Sequence, residues 1–154
     1  MQETLFLSPH APQRGPMHGP GEWWPLGGLS PAALATGAAS AAPAIDVFID
    51  RKLYRYGLSE ADLALTGFSQ GTMLALHVGL RRPGQVAAIV SYSDILAGTA
   101  DLRSETWYKP PILLIHGSQD DVVPPAAEIA VGSGQMEVIA MAAERLWFVV
   151  VKWA

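Results

Sequence analysis

The chain contains no cysteine, which excludes a disulfide framework, a thiolate zinc site and a cysteine nucleophile. Any covalent catalysis must therefore use another residue type. Basic residues are also few, with 10 Lys and Arg against 14 Asp and Glu and a formal net charge of −4. Because a phosphate backbone is bound by a basic stripe, we do not expect nucleic acid as a partner.

Signals for secretion or membrane insertion are also lacking. The segment Met1 to Leu7 has an early acidic residue and no basic region followed by a long apolar run, unlike a secretory signal. The apolar run Leu146 to Val151 is far too short to span a bilayer. We therefore expect a soluble, cytoplasmic protein without a membrane span. A length of 154 residues suits one hydrophobic core, so we expect a single domain over residues 1–154.

Short apolar runs alternate with segments of helical spacing, which predicts βαβ units and a fold of the α/β class. The sheet should be mostly parallel, with flanking helices. The predicted strands are 4–7, 62–66, 86–91, 112–115 and 147–151. Residues 31–56 fit helical spacing with Gly57 as cap, and we expect at least 44–56 to be helical; a second helix is predicted over 72–82. Residues 112–115 are continuously apolar, as in a strand covered on both faces, so we place this strand centrally in the sheet.

The pattern G-x-S-x-G occurs at residues 67–71, between a predicted strand and a predicted amphipathic helix. This context is typical of a nucleophile elbow, in which the serine occupies a strained turn above the sheet. We therefore expect Ser69 to act as the nucleophile. The backbone N–H of Gln70 and the helix dipole would then stabilise an oxyanion. The alternative is a chance string in which Ser69 only caps the helix.

A second polar group, residues 116–121, follows the strand 112–115 and contains Asp120 and Asp121. A carboxylate just beyond the carboxyl end of a parallel strand lies on the same rim as a serine beyond a neighbouring strand. The two strand ends are thus expected to converge on one site. Taken alone, the two aspartates also suit a polar turn before Pro124 and Pro125.

Two further motifs complete a recognisable order, Ser8-Pro9-His10-Ala11-Pro12 and a Pro/Gly-rich loop that ends in Trp23-Trp24-Pro25. With them, the chain resembles the phospholipase/carboxylesterase family of the α/β-hydrolase superfamily, which includes acyl-protein thioesterases. The resemblance covers about residues 4–127 and leaves a divergent tail over about 128–154. It implies a partial α/β-hydrolase fold and a serine esterase with Ser69 as nucleophile and Asp120 as triad acid. It also implies a small ester or acyl substrate, and neither a cofactor nor a metal.

The chain departs from this family's pattern in its histidines. The family's triad histidine follows the last strand, whereas no histidine comes after His116 in this chain. Without a general base the serine hydroxyl is a poor nucleophile, so we expect impaired activity. His10, just past the first strand, is the candidate substitute base. His77 and His116 suit packing or hydrogen-bonding roles, and His18 a solvated one.

The N-terminal part of the family's sequence pattern is also missing, as in a chain truncated at its N-terminus. A family strand that ends in His-Gly has no counterpart before residue 4, and it would lie between the strands at 4–7 and 63–66. Three alternatives follow: the two strands pair directly, the run 147–153 fills the gap, or the chain is marginally folded. A shifted reading frame or a fragmentary gene model would explain both the front and the tail.

Two other interpretations of function stay open at this stage. The first is a non-catalytic α/β-hydrolase-like binding protein in which Trp23 and Trp24 form an apolar lip, although packing on the core is commoner for such a pair. The second is an unstable fragment without function. Exposed sheet edges also leave association between copies open.

Overall fold

The computed structural model describes residues 4–13, 21–25, 30–92, 108–115 and 147–151. The five strands are β1 (Phe6–Leu7), β2 (Leu63–Phe68), β3 (Ala88–Tyr92), β4 (Ile112–Ile115) and β5 (Trp147–Val151). The two helices are α1 (Pro31–Tyr56) and α2 (Gln70–Gly79), and a short 3-10 turn, Glu60–Asp62, precedes β2. The predicted α/β class is confirmed.

The strands form one parallel sheet in the order β1-β5-β2-β3-β4. Strand β5 lies between β1 and β2, where Val149 aligns with Leu7 on one side and with Leu65 on the other. Of the three alternatives for the gap, the run near residue 147 therefore fills it. Strand β4 forms an edge of the sheet among the described strands, so the prediction that it lies centrally is wrong for this part of the chain.

Local signals define both ends of α1. At its start, the Ser30 hydroxyl accepts the Ala33 N–H at 3.3 Å, and Pro31 occupies the first turn, where its missing N–H has no intrahelical acceptor to lose. At its end, Gly57 adopts a left-handed conformation with φ of 64°. There Leu58 donates its N–H to the Leu53 carbonyl, which closes the last turn. The helix expected over at least 44–56, with its Gly57 cap, is confirmed, and it extends back to Pro31 over the whole stretch of helical spacing.

Helix α1 is also long and apolar enough to cross a membrane by length and composition alone, with a mean hydropathy of 1.5 over its most apolar window of 18 residues. One face of it is buried in the core through Leu34, Ala38, Ile45 and Ile49. Core helices of soluble proteins pass the same test, and this helix packs against α2. We therefore treat it as a core helix.

The core is built in layers, since α2 packs on β2 and β3, and α1 packs on α2. The close approach of α2 to the sheet depends on Gly79. A Cβ at this position would lie 2.7 Å from Ile89 Cδ1 and 2.9 Å from Leu65 Cδ1. The C-terminal end of α2 therefore packs directly on the side chains of Ile89 and Leu65. The N-terminal end of α2 follows directly from the carboxyl end of β2.

A buried arginine forms ion pairs with acidic residues at the C-terminal end of α2. Arg82 follows α2 and forms ion pairs with Asp46 at 2.9 Å, Asp50 at 2.5 Å and Glu60 at 2.5 Å. Burial acts to lower the pKa of Arg82, but the hydrogen bonds that its guanidinium donates to Glu60, Asp50 and Asp46 outweigh this effect and raise the pKa. The charged guanidinium thus joins α1, the 3-10 turn and the end of α2.

Candidate active site

The G-x-S-x-G segment forms a sharp connection between β2 and α2. Strand β2 ends at Phe68 and α2 begins at Gln70, so Ser69 alone makes the turn. Its backbone has φ of 52° and ψ of −121°, and among the described residues it is the one non-glycine residue with positive φ. A side-chain-bearing residue in such a conformation costs about 1–3 kcal/mol and persists only where its surroundings enforce it.

Neighbouring backbone groups enforce the turn at Ser69. Its N–H donates to the Tyr92 carbonyl at 3.0 Å, and its carbonyl accepts the N–H groups of Thr72 at 2.9 Å and Met73 at 3.2 Å. The Thr72 hydroxyl also hydrogen-bonds both the N–H and the carbonyl of Tyr92, each at 3.2 Å. The first turn of α2 is thereby tied to the carboxyl end of β3.

The hydroxyl of Ser69 does not cap the helix. No capping hydrogen bond from this side chain is found, although Ser69 occupies the N-cap position of α2. The alternative in which Ser69 serves only as a cap therefore has no support in the geometry. A half-buried hydroxyl at the carboxyl edge of a parallel sheet, in a strained turn, is suited to nucleophilic attack.

The Gln70 side chain makes contacts that the sequence did not reveal. It is 1% exposed; its Oε1 accepts the Trp23 N–H at 2.8 Å, and its Nε2 donates to the Trp24 carbonyl at 2.8 Å. The G-x-S-x-G motif predicts a role only for the backbone N–H of this residue. The sequence signal for these contacts is an amide side chain near the start of an otherwise apolar helix, because a buried amide requires hydrogen-bond partners.

Trp23 and Trp24 belong to the core, since they are only 2% and 4% exposed. The interpretation of the pair as an apolar binding lip is therefore wrong. The Trp24 ring lies directly against α1 at Gly37, where a Cβ would come within 2.2 Å of Trp24 Cδ1. Among the described residues, Trp23 Nε1 is a buried donor without an acceptor.

The remaining predicted site residues are only partly described. His10 is exposed and follows β1, which β5 separates from β2 by two strand spacings, or about 10 Å. His77 lies within α2, as predicted. Asp120, Asp121, His18 and His116 lie outside the described residues, so their predicted roles remain predictions. Within the described ranges, no cluster of three or more His, Cys, Asp or Glu side chains could hold a metal ion.

Comparison with known proteins gives a consistent result. A model of the family described as phospholipase/carboxylesterase matches residues 1–141. The chain is similar to the crystal structure of esterase PE8, with a TM-score of 0.71 and 33% sequence identity over 95% of this chain and 66% of that one. It is also similar in fold to SOBER1 of Arabidopsis thaliana, with a TM-score of 0.67 and 20% identity over 94% of this chain and 70% of that one.

These matches bear on the fold and on the extent of the chain. The esterase neighbours have the α/β-hydrolase fold, so the predicted fold class is confirmed. The chain spans about two thirds of the length of esterase PE8.

Proposed function

Because the chain belongs to the phospholipase/carboxylesterase family, we propose that it is a serine hydrolase that cleaves small carboxylic esters or thioesters. Ser69 is the nucleophile in this proposal. The observation that carries it is the backbone of Ser69, with φ of 52° and ψ of −121° between β2 and α2. This conformation supports a nucleophile elbow, because the motif requires a strained strand-to-helix turn at the serine, and the Ser69 hydroxyl makes no capping hydrogen bond.

The proposed reaction proceeds in two steps. Ser69 Oγ attacks the carbonyl carbon of the ester and loses its proton to a general base, after which the tetrahedral intermediate expels the alcohol or thiol. The leaving group takes up that proton. Water then attacks the acyl-enzyme, releases the carboxylic acid and restores the serine hydroxyl.

The start of α2 supplies the proposed oxyanion site. The N–H groups in the first turn of a helix have no intrahelical acceptor, and that of Gln70 lies next to the nucleophile. Together with the partial positive charge at the helix N-terminus, this donor would stabilise the negative oxygen of the intermediate. Preorganised donors of this kind are effective because they need not reorient during the reaction.

Asp120 is the proposed triad acid, and His10 the proposed substitute base. No histidine follows residue 116 in this chain, and β5 separates the strand before His10 from the strand before Ser69. We therefore propose slow turnover, in which acylation of Ser69 is easier to detect than multiple cycles. A cytoplasmic location belongs to the same proposal and rests on composition alone.

Labelling with an active-site fluorophosphonate tests the role of Ser69. The intact chain should form a covalent adduct that mass spectrometry assigns to Ser69, and Ser69→Ala should abolish it. Ser40→Ala is the matched control, because among the described residues the Ser40 hydroxyl donates within α1, to the Gly37 carbonyl at 2.7 Å. Labelling that survives Ser69→Ala, or its absence in a cooperatively folded wild-type chain, would contradict the proposal.

Turnover of p-nitrophenyl acetate tests the substitute base. We expect slow hydrolysis by the wild-type chain and a further loss in His10→Asn, which keeps a polar side chain but removes the imidazole. Hydrolysis that is the same in wild type and His10→Asn would remove His10 from the mechanism. A chain that binds an acyl compound saturably but never labels at Ser69 would instead be the non-catalytic binding protein.

A further inference from the structure

The Gln70 side chain bridges two parts of the chain that are distant in sequence. We propose that it is a positioning residue, which fixes its own backbone N–H as oxyanion donor by holding the segment 21–25 against the turn at Ser69. This inference rests on the proposed function. It assigns to the side chain a task separate from that of the Gln70 backbone.

Both polar groups of the Gln70 amide have a complementary hydrogen-bond partner. Its oxygen accepts the Trp23 N–H and its nitrogen donates to the Trp24 carbonyl, both at 2.8 Å, in a site where the side chain is 1% exposed. A carboxylate has no hydrogen to donate to the Trp24 carbonyl, and a thioether can replace neither bond well. Glutamine offers one donor and one acceptor here without any change of protonation.

The bridge constrains the peptide group that would stabilise the oxyanion. The Ser69 carbonyl, on one side of the Ser69–Gln70 peptide, accepts the N–H groups of Thr72 and Met73. The N–H on the other side belongs to Gln70, whose side chain is fixed to Trp23 and Trp24. Rotation of this peptide would break the two bonds that the Ser69 carbonyl accepts, and a shift of the Gln70 Cα would break the side-chain bridge. The position and direction of the N–H are therefore set before substrate binds.

The segment at the other end of the bridge is itself anchored. Trp23 and Trp24 are buried, and the Trp24 ring rests on Gly37 of α1. Glu22 and Gln13 exchange backbone hydrogen bonds of 3.0 and 3.3 Å, which connects the segment to the stretch that follows β1. The Gln70 amide thus links the proposed nucleophile turn to the part of the chain that carries His10.

The first test compares Gln70→Met with the packing control Ile45→Ala. The methionine variant keeps the length of the side chain but removes both bridge bonds. Ile45→Ala instead removes buried volume on α1, about two helical turns beyond the Trp24 contact at Gly37. We expect Gln70→Met to lower kcat and the rate of fluorophosphonate labelling about ten- to a hundredfold, with KM within about twofold. Ile45→Ala should lower the melting temperature and leave both rates near those of wild type.

The second test uses Gln70→Glu and its pH profile. The protonated carboxyl can donate to the Trp24 carbonyl and accept from the Trp23 N–H, whereas the carboxylate repels that carbonyl. Burial raises the pKa of such a carboxyl group, so the acid form is populated at accessible pH. The ratio of variant to wild-type labelling rate should therefore rise as the pH falls, and a ratio independent of pH would overturn the inference.

Amide hydrogen exchange separates this inference from the proposed function. If the wild-type chain neither labels nor turns over, the proposed function fails, but exchange in peptides covering 21–25 and 69–73 still tests the bridge. Faster exchange of both peptides in Gln70→Met, but not in Ile45→Ala, supports it. Unchanged exchange in Gln70→Met, or equal loss of labelling in the two variants, would overturn the positioning role.

Discussion

The backbone of Gly67 lies so close to that of Gly71 that no side chain fits between them. A Cβ at residue 67 would be 2.4 Å from both the carbonyl carbon and the carbonyl oxygen of Gly71, and 2.4 Å from the Thr72 nitrogen. This approach brings the first turn of α2 onto the end of β2. The first glycine of the motif is therefore required by contact with backbone, which cannot move aside as a flexible side chain would.

Gly67→Ala should consequently destabilise the protein by about 3 kcal/mol or more, the upper part of the range for overpacking. Gly57→Ala is the control, because Gly57 has φ of 64° but no atom within 4 Å of the place that a Cβ would occupy, so only about 1 kcal/mol of backbone strain is expected. Urea unfolding measures both. Equal losses in the two variants would mean that the turn relaxes around the added methyl group.

Ser69→Gly should be more stable than Ser69→Ala. Alanine keeps the Cβ, and with it the cost of φ at 52° and ψ at −121°, whereas glycine adopts this region without a steric penalty. We expect a difference of about 1 kcal/mol in favour of glycine, after the larger entropy of the unfolded glycine chain is allowed for. Both variants should lose fluorophosphonate labelling. A less stable glycine variant would show that the turn is not strained.

Arg82→Met should cost about 3 kcal/mol in the free energy of unfolding, since it leaves the carboxylates of Asp46, Asp50 and Glu60 without their shared cation. The loss is at the low end of the range for buried pairs because Asp46 and Asp50 are partly solvated. Arg55→Met serves as control, because Arg55 is exposed and stacks on Tyr56 at 5.6 Å. It should change stability by less than about 1 kcal/mol. A similar effect at both positions would contradict this account of the ion-pair cluster.

Asp62 gives a pH-dependent contribution to stability. Hydrogen bonds from the Ser59 N–H at 2.9 Å and the Ser59 hydroxyl at 2.7 Å lower the pKa of Asp62 below its ordinary value of 3.8, against a small opposing effect of burial. Because the folded pKa is depressed, this stability is fully present above about pH 4 and is lost as the pH falls through the folded pKa.

Asp62→Ala should therefore be less stable than wild type by about 1 kcal/mol at pH 7, the usual effect of losing a capping residue. The difference should shrink as the pH falls below about 4, where the wild-type carboxylate becomes protonated. Chemical denaturation at pH 7 and at pH 3 makes the comparison. A difference that stays constant with pH would assign the effect to lost packing instead of to charge.

Helix α1 could be predicted closely because its signals are local. Pro31 in the first turn and Gly57 after the last one mark its ends, and both lie within a few residues of the atoms that they satisfy. The turn at Ser69 was predictable for the same reason, since Gly67, Ser69 and Gly71 lie within five residues.

The order of the strands and the Gln70 bridge could not be predicted in this way. A continuous apolar run such as Ile112–Ile115 shows that both faces of a strand are covered, but it does not show how many strands lie beside it, and β4 is at the edge of the described sheet. The bridge joins Gln70 to Trp24 and Trp23, which precede it in sequence by 46 and 47 positions. Helix and strand periodicity carry no information over such a separation. The placement of β5 was one of three alternatives that only the register decided.

The pairing of β1 with β5 has a consequence for biosynthesis. Among the described residues, β1 has β5 as its only neighbour, and Leu7 aligns with Val149, about 140 residues later in translation. At ordinary elongation rates, synthesis of β5 follows that of β1 by about 10–30 s, and until then β1 lacks the one partner that it has among the described strands. Chaperones that shield exposed strand edges would therefore engage β1 for longer than a strand whose partner lies close in sequence.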